Sequence, residues 1–351
     1  MPVKKLSIPD FLQLSANEIV LDVRSPSEYN QAHIPGAYSL PLFSDEERKI
    51  VGTAYKQRSR EQAIKAGLDY FGPKMRAMVE TVEGIIKAEK TGEKKVYIHC
   101  WRGGMRSSAV AWLLDLYGFE VSLLVGGYKA YRNWVLAQFE KEYPIRILGG
   151  FTGSGKTQIL QKLKESNEKV IDLEGLANHK GSAFGGIGQP VQPRQEMFEN
   201  LVAMALQQQS AIPGDIWMED ESQRIGILNI PPALWITIRR KKVFFVDIPF
   251  EERLKFITQE YGSLNKESLK DAIIRIQKKL GPLESKTALA LIDQDNYEEG
   301  FQILLQYYDK LYLKALNNRE DIGELLCKIT CTKVNPETNT QKILTCDTVG
   351  I

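Results

Sequence analysis

The stretch VYIHCWRGGMRSS, residues 96–108, decides how this chain is read. Val96–His99 read as a buried strand that runs straight into Cys100. A loop with two glycines and two arginines follows, and a helix begins near Ser107. In open α/β sheets, ligands gather at the carboxyl ends of the strands, which is where Cys100 falls. Gly103 and Gly104 let several backbone N–H groups point at one spot. The helix N-terminus adds partial positive charge, and Arg102 and Arg106 add full charges. All three features stabilise a thiolate, and they would equally hold an anion or a sulfur carrying a second chalcogen atom. The alternative is a buried core thiol, since free cysteine is among the most buried residue types. A core thiol needs neither the arginines nor the glycines.

Working outward, EIVLDVRS (18–25), KKVYIHC (94–100) and FEVSLLVGG (119–127) read as strands. SPSEYNQAHIPGA (25–37) reads as a short helix and a Pro-Gly turn, and residues 44–91 are helical in pattern. RSSAVAWLLDLYG (106–118) is an amphipathic helix stopped by Gly118, and YKAYRNWVLAQFEKE (128–142) is another helix. Strands alternating with helices indicate a parallel α/β sheet. YPIRILGGFTGSGKTQILQKLKES (143–166) then restarts the pattern, which sets a domain boundary near 138–144. Further strands are expected in NEKVIDLEG (167–175), GDIWMEDES (214–222) and KKVFFVDIP (241–249), with helix over nearly all of 250–318. The division expected is a first domain over 1–140, a second with a helical extension over 141–326, and a tail over 327–351 that forms a small strand pair or a loose extension.

Composition narrows the class. The 351 residues suit two domains, and 43% hydrophobic with 26% charged residues is the balance of a soluble globular protein. A net charge of +2 neither demands nor excludes a nucleic-acid partner. Four cysteines are no disulfide framework, so a reducing cytoplasm is the simplest setting. MPVKKLSIPDFLQL has no apolar signal core, and no run is long enough to span a membrane. His33, His99 and His179 are too dispersed for a structural zinc site.

GFTGSGKT fits G-x-x-x-x-G-K-[ST] at Gly150, Gly155, Lys156 and Thr157, with Gly153 inside it, between an expected strand and an expected helix. The loop's N–H groups cradle phosphate oxygens, Lys156 reaches the terminal phosphates, and Thr157 can ligate Mg²⁺. ATP is the default ligand, but any diphosphate ester satisfies the same donors. A carboxylate for a metal or for positioning water should end another strand. Asp172 and the acidic cluster 219–221, with Glu219 and Asp220, rank above Asp247, and each is alternatively an ordinary strand-end cap. The glycine-rich NHKGSAFGGIGQPVQPRQ (178–195) either closes over a ligand or is a surface connection.

DVRSPSEY (22–29), AHIPGA (32–37, with His33), IHCWRGGMRS and GGYKAYR (126–132) stand in the order and spacing of a rhodanese domain, which the first half resembles. The resemblance implies that sulfur, or here selenium, is carried on Cys100, and that Asp22 and Arg24 brace its loop as a structural link. A rhodanese-like module followed by a P-loop module is a narrow architecture. With GFTGSGKT, DLEGLANHKGSAFG and IWMEDESQRIG in this order, residues 5–318 resemble the tRNA 2-selenouridine synthases. That implies a transferase acting on the wobble 2-thiouridine of tRNA, using geranyl diphosphate and then selenophosphate, through an S-geranyl intermediate. No tightly bound cofactor is implied beyond Mg²⁺, and a selenophosphate-producing enzyme is a partner the chemistry suggests.

For RNA contact the sequence offers YKQRSREQAIKAG (55–67), PKMR (73–76) and RRKK (239–242) as basic stretches, and Tyr70, Phe71 and Trp101 as stacking surfaces. Trp101 stands out because it adjoins Cys100. Two rival readings are an ATP-linked sulfurtransferase and a P-loop kinase with a regulatory rhodanese module. VDIPFEERLKF (246–256), with Glu252 and Arg253, has a kinase-like look. Cys327, Cys331 and Cys346 receive no role.

Overall fold

A computed structural model describes residues 3–90 and 92–348. The chain divides into two compact units, Met1–Gln138 with Glu199–Met204, and Phe139–Phe198 with Ala205–Ile351.

The first unit is built on five parallel strands: β1 (Lys4–Leu6), β2 (Ile19–Asp22), β3 (Tyr38–Ser39), β4 (Lys95–His99) and β5 (Glu120–Leu124), in the spatial order β1-β5-β4-β2-β3. β2 and β4 are buried on both faces, as a parallel sheet requires, so they read as apolar runs rather than alternating ones. From β2 the chain moves outward to β3, then crosses back to β4 and on to β5 in the other direction. The switch point lies between the carboxyl ends of β2 and β4, where such sheets open a crevice. Three successive helices follow, Asp45–Gln57, Arg60–Phe71 and Met75–Glu89, in the stretch whose pattern reads as helical. β1 and β3 were not foreseen. They are two to three residues long, below the length at which an apolar pattern can declare itself.

The second unit repeats the logic with β6 (Ile145–Gly150), β7 (Lys169–Ile171), β8 (Ile216–Glu219), β11 (Val243–Asp247) and β12 (Leu326–Thr330), all parallel in the order β12-β11-β6-β8-β7. A short antiparallel pair, β9 (Arg224–Ile225) with β10 (Leu228–Asn229), stands apart from it. Here the switch point lies between β6 and β8. The helices Phe250–Tyr261, Lys266–Leu280, Pro282–Asp293 and Tyr297–Asn317 build their own core around Leu254, Ile257, Leu269, Ile273 and Leu304.

The tail departs from expectation. Neither a strand pair nor a loose extension, it supplies the edge strand β12, parallel to β11, and then the helix Pro336–Thr348. Its polar composition hides the few apolar side chains that matter: Ile329, Cys331 and Ile343 are buried in the core shared with Leu160, Leu163 and Phe244. Among the described residues, no helix is long and apolar enough to cross a membrane.

Candidate functional site

In the first unit, Cys100 follows β4 directly and is 3% exposed. Its sulfur lies 3.2 Å from the Ser107 hydroxyl, on the first turn of the Met105–Tyr117 helix. Burial alone would push the thiol up. The Ser107 hydroxyl and the backbone N–H groups of Ser107, Gly104 and Arg102 outweigh it and hold the pKa below its ordinary value. The loop is therefore a ring of donors around one sulfur. Its shape depends on glycine. Gly103 has φ +63°, and Gly127 has φ +57°, where a Cβ would run into the Cys100 carbonyl oxygen and the backbone nitrogens of Gly103 and Arg102. The Tyr128 N–H then binds the Cys100 carbonyl at 2.8 Å, and the Lys129 N–H that of Trp101 at 2.9 Å.

The arginines do not play the part expected of them. Arg106 turns away to Glu28, donating at 2.7 Å, and Arg102 is exposed. Burial would raise the Glu28 carboxyl, but Arg106, the Ser25 N–H and Arg48 bring it down to about 2. Glu28 also closes the capping box of the Pro26–Gln31 helix, so Arg106 ties the cysteine loop to that helix. Hydrogen bonds, rather than free guanidinium charge, condition the thiol.

Asp22 and Arg24 form the brace expected of them. Both are fully buried; Arg24 donates from Nε to both Asp22 oxygens (3.0 and 2.9 Å) and from Nη2 to the Ala32 carbonyl (2.7 Å). Its guanidinium stacks 3.7 Å from the ring centroid of Tyr128, whose backbone N–H binds the Cys100 carbonyl. Trp101 remains 38% exposed at the loop's rim, while Phe71 is packed into the core with Tyr70 beside it. Of the three aromatic candidates, only Trp101 is presented.

In the second unit, the glycine loop joins β6 to the Lys156–Glu165 helix at the switch point. Gly153 and Gly155 have φ +79° and +75°, and Lys156 Nζ donates to the Gly150 carbonyl at 3.0 Å. The loop is clamped from outside. Arg253, 3% exposed, donates to the Thr152 carbonyl at 3.0 Å and pairs with both oxygens of Asp309 at 2.9 and 2.8 Å. The kinase-like look of residues 246–256 resolves into this clamp. Tyr312 accepts from the Gly150 N–H (3.1 Å) and donates to Asp220 (2.7 Å).

The loop opens on a cavity of about 380 Å³ lined by Gly153, Gly155, Lys156 and Thr157, with an apolar wall that includes Phe256, Ile257, Tyr308 and Leu311. The 178–195 segment contributes Lys180, Gly181 and Ser182 to the lining. It is fastened by the Lys180–Glu260 ion pair (3.0 Å), by Tyr308 accepting from the Ala183 N–H (3.1 Å) and by the burial of Phe184.

The carboxylates sort differently from expectation. Asp172 caps the Leu173–Leu176 helix, accepting from the Gly175 N–H at 2.6 Å. Glu219 is 2% exposed and accepts from the Glu174 N–H at 2.7 Å. Asp220 is held by Arg319 and Tyr312, and Asp247 by Lys328. Four acidic residues line the cavity with Lys156: Asp220 and Glu221 from the 219–221 cluster, Glu260, and Glu174, which was not among the sequence candidates. Desolvation raises the Glu174 and Glu221 carboxyls, and at Glu221 the Glu174 charge adds to it. Glu174 stands two residues after Asp172 in the DLEG motif, so the signal was adjacent to the residue chosen. Among the described residues, no group of three or more His, Cys, Asp or Glu side chains is placed to hold a metal ion. Cys327 and Cys346 lie with their sulfurs 3.1 Å apart, joining β12 to the last helix.

Comparison with known proteins agrees with both halves. Residues 9–133 match the rhodanese-like domain, and residues 143–335 match the AAA domain of tRNA 2-selenouridine synthase. The chain is 37% identical over 355 residues to the tRNA 2-selenouridine synthase of Hydrogenovibrio crunogenus, covering 91% of this chain and 94% of that one. It is 34% identical over 367 residues to that of Bdellovibrio bacteriovorus, covering 89% and 93%. Carrying both domains in order and aligning along nearly its whole length, the chain belongs to the tRNA 2-selenouridine synthase family.

Proposed function

We propose that this chain converts the wobble 2-thiouridine of tRNA to 2-selenouridine in two steps, with geranyl diphosphate and selenophosphate as substrates. In the first, the 2-thio sulfur attacks C1 of geranyl diphosphate, the C–O bond breaks and diphosphate departs. Alkylation turns the sulfur into a good leaving group. In the second, selenium from selenophosphate enters at C2, geranyl thiol leaves and the phosphoryl group passes to water.

The observation that carries this reading is the cavity of the second unit: a phosphate-binding loop faces an apolar wall of Phe256, Ile257, Tyr308 and Leu311. That pairing suits a diphosphate ester of a hydrocarbon chain. Lys156 and the loop N–H groups would hold the departing diphosphate and stabilise its growing charge. Mg²⁺ arriving with the diphosphate would be met by Thr157 and the Glu174–Glu221 pair, and would supply further charge neutralisation. The N3 proton of the alkylated base needs an acceptor, and the same carboxyl pair is the candidate. The Cys100 loop, with its N–H donors converging on a thiol of lowered pKa, suits the selenium step.

The test is nucleoside mass spectrometry of 2-thiouridine-containing tRNA incubated with the protein and geranyl diphosphate, with and without selenophosphate. A geranylated nucleoside in one tube and 2-selenouridine in the other is the expected result. Cys100→Ser should lose selenation and keep geranylation, whereas Lys156→Ala should lose geranylation. The reverse pattern would sink the allocation, and no product in either tube, with ATP hydrolysed instead, would return the chain to a sulfurtransferase or kinase.

A further inference from the structure

In and behind the wall of the same cavity lie hydrogen-bond donors that the protein leaves without acceptors. Arg239 ends the Pro232–Arg239 helix and lines the cavity. One of its nitrogens donates to the Ala315 carbonyl at 3.1 Å, and its guanidinium lies 5.2 Å from the centroid of Trp235, which also lines the cavity. The Trp235 indole N–H is buried and has no acceptor. Behind them, Arg319 is 6% exposed and gives one N–H to Asp220, while its Nε and Nη1 are buried without acceptors. Two guanidinium groups are thus set against one carboxylate, and that carboxylate already accepts from Tyr312. Burial and the like charge of Arg319 both work against the Arg239 cation. An anion bound beside Arg239 would give the Trp235 N–H an acceptor and offset the mutual repulsion of the two guanidinium groups. Buried donors without acceptors are rare in folded proteins and point to a missing partner.

We propose that Arg239 and the Trp235 indole form a second phosphate-class anion site in this cavity, distinct from the glycine loop, which takes a backbone phosphodiester of the RNA substrate. This rests on the reading that RNA is the substrate. Two observations favour a phosphodiester over a free phosphate-type anion. Arg239, positioned by Ala315 and Trp235, offers one guanidinium matched to one negative charge, without the N–H cradle that a glycine loop gives a multiply charged group. Its chain neighbours Arg240 and Lys242 are exposed, which extends the positive charge beyond the cavity as a polyanion would use it.

Equilibrium binding of a 2-thiouridine-containing anticodon stem-loop RNA, measured across a salt series with the full-length chain, tests this. Arg239→Ala should weaken RNA binding about tenfold and lower the salt slope by about one, and Arg239→Lys should restore the slope. Trp235→Phe, which keeps the ring and removes only the N–H, should weaken binding by a smaller factor. Lys156→Ala should keep RNA affinity while losing geranyl diphosphate. Unchanged RNA affinity and slope in folded Arg239→Ala would overturn the site. So would a variant that binds RNA normally but loses competition by orthophosphate or selenophosphate, since that would assign the site to a free anion. A wild-type chain that binds no RNA at all would instead remove the functional reading beneath it.

Discussion

The Cys100 sulfur and the Ser107 hydroxyl stand 3.2 Å apart, across the loop that joins β4 to its helix. This contact is the leading cause that lowers the thiol's pKa against burial. Ser107→Ala should therefore move the half-maximal point of Cys100 alkylation to higher pH and slow the reaction several-fold at neutral pH. The loop N–H groups remain, so a residual lowering is expected. An alkylation profile identical to the parent's would show that the amides alone set the thiol.

Gly127 is the loop's tightest point, with φ +57° and no room for a Cβ beside the Cys100 carbonyl. Gly127→Ala should cost on the order of 1–3 kcal/mol in thermal unfolding and abolish selenation by displacing the ring of donors. Gly92, also at positive φ but with nothing near its Cβ, is the control, and Gly92→Ala should leave selenation intact.

Glu221 gives a pH signature. Desolvation first, then the charge of Glu174, holds its carboxyl well above the ordinary value of 4.5. The native state keeps a proton that the unfolded chain releases, so the contribution is fully present below pH 4.5 and is lost as pH rises through the native pKa. Glu221→Gln should flatten the fall in urea midpoint between mildly acidic and alkaline pH. Parallel pH profiles for parent and variant would reject the raised Glu221 carboxyl.

Arg253 and Asp309 form a two-pronged pair that is nearly dry on the arginine side, and Arg253 also holds the Thr152 carbonyl. Arg253→Ala leaves Asp309 without its partner and should destabilise the chain by about 3–5 kcal/mol. Asp309→Asn keeps a hydrogen-bonding shape and should retain the fold while weakening diphosphate binding. Isothermal titration with geranyl diphosphate separates the two effects.

The tail is core rather than appendage. Ile329, on β12, is 6% exposed, so Ile329→Ala should cost about 2–4 kcal/mol. Lys328→Ala on the same strand, whose ion pair with Asp247 is half in solvent, should stay within about 0.5 kcal/mol. Equal effects in a denaturation series would return the tail to the loose extension its composition suggested.

How much was written in the chain itself is clearest at the two loops. Each announces itself locally: a strand, then glycines at positions that need positive φ, then a helix, with the reactive Cys100 or Lys156 between. Local geometry of this kind depends on neighbours in sequence, so the sequence alone determined the parallel α/β class, both loops, and the Asp22–Arg24 brace suggested by family resemblance. What conditions those loops comes from far along the chain. Glu28 removes Arg106 from the thiol, Arg253 and Asp309 clamp the glycine loop, and Arg319 neutralises the Asp220 that a strand-end rule would have offered to a metal. The Glu174 charge raises the Glu221 carboxyl only because β7 and β8 lie side by side. Which charges are free and which are spent is a pairwise property of folded space. Tertiary packing alone could decide it, because a carboxylate's chemistry is set by the cation or the dry wall beside it, and neither need be near in sequence.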